Sequence, residues 1–152
     1  MAEPPSDVPS WPDGPQDPAA AAAAMNTPEF HGALGSRMGI EFLHVGPDKV
    51  VARMPVAGNT QPYGLLHGGA SVVLAETVGS VAAAVHAGPG KFPVGIEINA
   101  THHRSARSGY VTATATPLST GRTLSTFQID IVDDDGRPVC TSRLTCMIRT
   151  AV

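Results

Sequence analysis

From Met38 to Val45 and from Lys49 to Val56 apolar residues recur at short spacing, and Gly46-Pro47-Asp48 separates the two runs. This pattern predicts two antiparallel strands joined by a tight turn. The stretch Leu65 to His86 is different: it is long, rich in alanine, free of proline and poor in polar residues. It predicts one helix, apolar over most of its circumference, which must be covered on nearly every side. Beyond Gly88-Pro89-Gly90 the runs Val94 to His102, Tyr110 to Leu118, Thr123 to Asp133 and Val139 to Arg149 alternate apolar with polar residues. With turns at Ser105 to Gly109, Thr120-Gly121 and Asp134-Asp135-Gly136, these four strands read as connected in meander fashion.

Ahead of the first strand, Thr27 reads as an N-cap, with Pro28 at the first helical position and Glu29 in the first turn, so a short helix is expected toward Leu34, ended by Gly35. Residues 1–26 hold five prolines before position 16 and a run of six alanines ending at Ala24. They read as a disordered Pro/Ala-rich tail in which the alanines could form a short helix, and Met25 could equally be the start of translation. The expected domain is residues 27–152, of the α+β class: one antiparallel sheet wrapped around a long central helix.

Composition narrows the function. The chain has 152 residues, 42% of them apolar, enough for one core. A net charge of −3 without any Lys/Arg run argues against nucleic-acid binding and points to a small ligand. Ala70 to Val85, broken by Ser71, Glu76, Thr77 and Ser80, reads as too short and too polar to cross a membrane. The first residues carry Glu3 and Asp7 and no basic cluster, unlike a secretory signal, so a cytoplasmic protein is expected. Cys140 and Cys146, in one strand and about 20 Å apart at about 3.3 Å per residue, are expected to be unpaired core residues.

The candidate chemistry sits in Asn59-Thr60-Gln61-Pro62-Tyr63-Gly64-Leu65-Leu66-His67-Gly68-Gly69-Ala70-Ser71 and in Leu74 to Ser80. Gly68 and Gly69 let a ligand approach the backbone where the first N–H groups of a helix lack acceptors, a place where an oxyanion could bind. The alternative is a tight loop-to-helix junction that merely needs glycine. Glu76 is the only carboxylate between Asp48 and Glu97 and falls two turns into the apolar helix. An ionised carboxylate there is unfavourable unless paired or functional, although Glu76 could instead lie on an exposed strip with Thr77 and Ser80. Ser80, four residues on, shares its face and could orient the carboxylate or a water molecule.

His67 lacks the nucleophile elbow of a serine hydrolase and could orient the glycine turn, touch a substrate or simply cap the loop. His102 and His103, adjacent in a strand, are expected on opposite faces, so that at most one lines a pocket. No paired metal-ligand spacing is present, and neither a metal nor another cofactor is expected.

The run Asn59 to Ser80, with Gly95-Ile96-Glu97-Ile98-Asn99-Ala100-Thr101-His102-His103-Arg104, resembles the hotdog-fold acyl-CoA thioesterases of the PaaI-like group. The resemblance spans about Met38 to Arg149. It implies that Glu76 is the catalytic carboxylate, acting as general base or as nucleophile across a dimer interface on a thioester held at the other subunit's His67-Gly68 turn. Gln61 and the Gly68 amide would polarise the carbonyl, with His67 positioning the turn. Gly69, Ser80, His102, Tyr63 and Arg104 would serve substrate binding, and Arg104, Arg107, Lys91 and Arg122 are candidates for CoA phosphates. The resemblance further implies a homodimer or homotetramer, and an aromatic or bulky acyl group such as hydroxybenzoyl, phenylacetyl or 1,4-dihydroxy-2-naphthoyl, on CoA or a carrier. A hotdog dehydratase or hydratase, or a non-catalytic acyl-CoA binding protein, are the rival readings.

Overall fold

A computed structural model describes residues 17–150. In chain order its elements are α1 (Pro18–Met25), α2 (Pro28–Met38), β1 (Glu41–Val45), β2 (Val50–Pro55), α3 (Gly68–Ala87), β3 (Lys91–His102), β4 (Tyr110–Thr120), β5 (Leu124–Asp133) and β6 (Pro138–Thr150). The six strands form one antiparallel sheet in the order β1-β2-β4-β5-β6-β3. α3 lies across it, touching β2, β3, β4, β5 and β6, and this is the expected α+β arrangement of a sheet around a central helix.

Alanine-rich α3 can lie this close because its buried face is made of small residues: Ala70, Ser71, Ala75, Gly79, Ala82, Ala83 and Ala84 are all buried beside Leu74, Val78 and Val81. At Gly79 a methyl group would come within 2.6 Å of Leu144 Cδ2, so the helix rests almost directly on the sheet. At 20 residues α3 is slightly shorter than the Leu65 to His86 run predicted, yet, against the expectation for Ala70 to Val85, it matches a membrane-crossing helix in length and apolarity. Its cover here is the protein's own sheet.

Three expectations need correction. The four strands after α3 are not a simple meander, because β3 pairs with β6 at the far side while β4 returns to pair with β2. Sequence adjacency suggested a β3–β4 hairpin, but the span from His103 to Gly109 carries the chain away from β3 instead. The short helix does not stop at Gly35: α2 breaks its geometry at Gly32 (φ 60°, ψ −178°), continues to Met38 and ends at Gly39, whose φ of 68° suits glycine. Met38 therefore closes α2, and β1 starts at Glu41.

The tail is the third correction. Pro18–Met25 is a helix with Ala21, Ala22 and Met25 buried, capped by the Asp17 carboxylate, which accepts from the Ala20 N–H at 3.0 Å. Order thus begins ahead of Thr27; residues 1–16 lie outside the described residues. α1 packs on β1, and Asn26 behind it reaches that strand with its side chain. Its side-chain amide donates to Phe42 O at 2.9 Å and accepts from Phe42 N–H at 2.8 Å.

That amide satisfies two backbone groups on the outer edge of β1, which a free edge would offer to another chain. The Asn26→Ala variant should lose about 1–3 kcal/mol of stability in urea unfolding, the usual consequence of stranding such groups. An unchanged midpoint would show that this edge is held by other contacts.

Candidate functional site

The turn entering α3 is built by backbone bonds. Gln61 N–H donates to Leu65 O at 2.8 Å, Leu66 N–H to Ala106 O at 2.8 Å and His67 N–H to Asn59 O at 2.9 Å. The Asn59 side chain fastens this loop to Met38 O and Pro55 O. His67 is the N-cap of α3, its Nδ1 accepting from the Gly69 N–H at 2.8 Å. This role requires Nδ1 to be unprotonated, so in the neutral ring the proton sits on Nε2. With Gly69 N–H occupied, Gly68 N–H is the exposed helix-start donor, having no acceptor within α3.

An open cleft of about 360 Å³ lies in front of that donor, lined in part by Gln61, Gly68, Ser71, His102, His103 and Arg104. The His102 ring lies against Gly68, where a Cβ would come within 2.9 Å of Nε2. Gln61 Oε1 accepts from the Tyr63 N–H at 2.8 Å, which leaves the amide NH2 as the free donor of a side chain on the cleft wall. The wall thus offers two N–H donors, Gly68 and Gln61, suited to a carbonyl oxygen that gains negative charge.

Both His102 and His103 reach the cleft, against the expectation of one. Regular strand geometry stops at His102, so the alternation of faces no longer separates the pair; His103 N–H bonds Val139 O and its Nε2 meets Thr141 Oγ1 at 2.9 Å. Among the residues named from sequence, Gln61, Gly68, His102 and Arg104 come together here. Tyr63 does not; it is 84% exposed and outside the cleft. Ser71 and Val139 also line it, and sequence gave little sign of them: Ser71 reads as an ordinary helix residue, and Val139 arrives from β6.

Glu76 is elsewhere. It is eight residues beyond Gly68, about 12 Å along the axis at 1.5 Å per residue, and is absent from the cleft wall. Its carboxylate is half-buried, lies against Gly95 of β3, and among the described residues has neither ion pair nor hydrogen bond. Ser80 faces the same place, close to the Cys146 thiol. Burial pushes that thiol up to about 11, and the nearby Glu76 charge adds to the rise, against the lowering effect of Ser80. Among the described residues no three of His, Cys, Asp and Glu are grouped as metal ligands.

A curled antiparallel sheet holding one helix whose start presents glycine N–H groups to a cleft defines the hotdog class. The family model described as thioesterase superfamily matches residues 63–140, and the chain belongs to that family. It is 52% identical over 110 residues to the 1,4-dihydroxy-2-naphthoyl-CoA hydrolase of Escherichia coli, covering 72% of this chain and 81% of that one. It is 46% identical over 118 residues to a proofreading thioesterase, EntH, of Cronobacter turicensis, covering 77% and 86%. A thioesterase of known structure from Haemophilus influenzae superposes with a TM-score of 0.78 at 42% identity, covering 86% of this chain and 89% of that one.

Both cysteines are unpaired and buried, and Cys146 ionises only far above neutral pH. The thiolate is the reactive form, so iodoacetamide at pH 8 should leave Cys146 unmodified in the native protein and label it after denaturation, as read by mass spectrometry. Rapid native labelling would contradict this burial.

Proposed function

We propose that the chain hydrolyses the thioester of an aromatic or similarly bulky acyl group on CoA or an acyl carrier, releasing the acid and the thiol. The observation that carries this is the unpaired, half-buried Glu76 carboxylate in an apolar helix. A charge in that setting is costly to keep without a partner, and such groups concentrate where chemistry needs them. The acyl class rests on likeness to the naphthoyl-CoA hydrolase.

In the proposed reaction the thioester carbonyl oxygen accepts from Gly68 N–H and the Gln61 amide, and the helix N-terminus favours the charge that develops there. Either Glu76 takes a proton from a water whose oxygen attacks the carbonyl carbon, or the Glu76 carboxylate attacks that carbon itself. In both routes the tetrahedral centre collapses and expels the thiolate, which takes up a proton; in the second the anhydride left on Glu76 is then opened by water, releasing the acid and restoring the carboxylate. His67 keeps the turn in shape, and His102 and Arg104 contact the substrate beside it. The cationic side chains of Arg104, Arg107, Lys91 and Arg122 are available to the CoA phosphates.

Gly68 and Glu76 of one chain are too far apart to share a carbonyl group. The reading therefore makes the working unit at least a dimer in the cytoplasm, each cleft completed by the other subunit's Glu76. Support comes from β3, an edge strand of 12 residues with Val94 45% and Ile96 52% exposed. Such an edge is fitted to pair with its own copy.

Replacing Glu76 by Gln should lower kcat for aromatic acyl-CoA about 10²–10⁴-fold, followed as free thiol release, with melting temperature and oligomeric state retained. Near-native turnover in that variant would end the reading. Enoyl-CoA hydration without thiol release would favour the dehydratase class, and tight binding without turnover a binding protein.

A further inference from the structure

We infer that Gly95 is a positioning residue for Glu76, its missing side chain being the space in which the carboxylate rests. The inference builds on the proposed role of Glu76. Gly95 sits on β3 opposite Cys146 of β6, and residues paired in this way point to the same side of the sheet. That side faces α3, since Cys146 meets Ser80 there.

Gly95 has no positive φ, so its backbone would accept any residue. Room is also ample in every direction but one. A Cβ at Gly95 would collide with Glu76 Oε1, whereas the nearest other side chain, Leu144, stands 3.6 Å away in ordinary contact. The glycine is thus required neither by chain conformation nor by core packing, only by the place the carboxylate occupies.

The pairing register shifts directly after Gly95, with Ile96 as the extra residue between Gly95 and Glu97. A bulge of this kind bends an edge strand and re-aims what lies on it. Here it directly follows the glycine against which the carboxylate rests. Gly79 is the contrasting case: a methyl group there would strike Leu144 Cδ2 at 2.6 Å and come within 3.5 Å of Ile129, both in the buried core.

The test compares thioester hydrolysis and thermal melting in Gly95→Ala, Gly79→Ala, Glu76→Gln, Glu76→Ala and the double variant Glu76→Ala/Gly95→Ala. Because an ångström of misplacement costs about 100-fold, Gly95→Ala should lose kcat on that order. Its KM should stay within about twofold, since the carboxylate acts in the chemical step, and its melting temperature should be native. Gly79→Ala should show the reverse, a lower melting temperature with native kcat. Should Gly95→Ala also melt low, the double variant must melt like Glu76→Ala, because the obstacle has gone; a persistent loss would overturn the inference. Native kcat in Gly95→Ala beside an inactive Glu76→Gln would overturn it while leaving the proposed function standing. An active Glu76→Gln would remove both.

Discussion

A single apolar helix enclosed by a sheet leaves few places where polar chemistry can occur, and this constraint shapes the rest of the molecule. The flanks of α3 are given to Leu74, Val78, Val81 and a series of alanines buried against five strands. Polar function is left to the N-terminal turn, where backbone donors are unsatisfied by the nature of a helix, and to the flank facing the edge strand β3, where Glu76 and Ser80 lie. The two places are separated by more than two helical turns. On the proposed reading, that separation obliges each subunit to bring the acid and its partner to bring the carbonyl-binding turn.

The two sheet edges are treated differently, in keeping with that requirement. β1 is closed by α1 and by the Asn26 amide, which occupies the outward N–H and C=O of Phe42. β3 is long, bulged after Gly95, carries exposed Val94 and Ile96, and among the described residues has no strand paired to its outer side. On the proposed reading, plugging one edge and leaving the other open directs pairing between copies to the side where Glu76 is found. The ordered helix at the amino end, lying in a segment whose composition suggested disorder, thereby gains a structural purpose.

Much of the architecture was legible because it follows local rules. The switch from short alternation to an alanine-rich run and back locates α3 and the strands within a few residues, and Gly46-Pro47-Asp48 marks its hairpin. Strand order was not legible: nothing local to β3 tells that its partner is β6, which depends on how a sheet closes around the helix. The same holds for α1, whose alanines are buried only because β1 lies beneath them. At the site, the glycine turn and the lone carboxylate could be read from chemistry and spacing. That Gln61, Gly68, His102 and Arg104 share a cleft needed the fold, as did the entry of His103, since face alternation fails where a strand ends. Gly95 could not be read at all, because its neighbour Glu76 is distant in sequence and the backbone at Gly95 is unremarkable.

The central claim is that one site draws on two chains, and mixing defective subunits tests it most directly. Glu76→Gln and Gln61→Ala homodimers should each be nearly inactive. After joint unfolding and refolding in equal amounts, random pairing makes half of the dimers mixed, each with one intact site, so about a quarter of native activity should return. No recovery in a mixture shown by mass spectrometry to contain the mixed dimer would mean that Glu76 serves its own chain or none, and the account would fail.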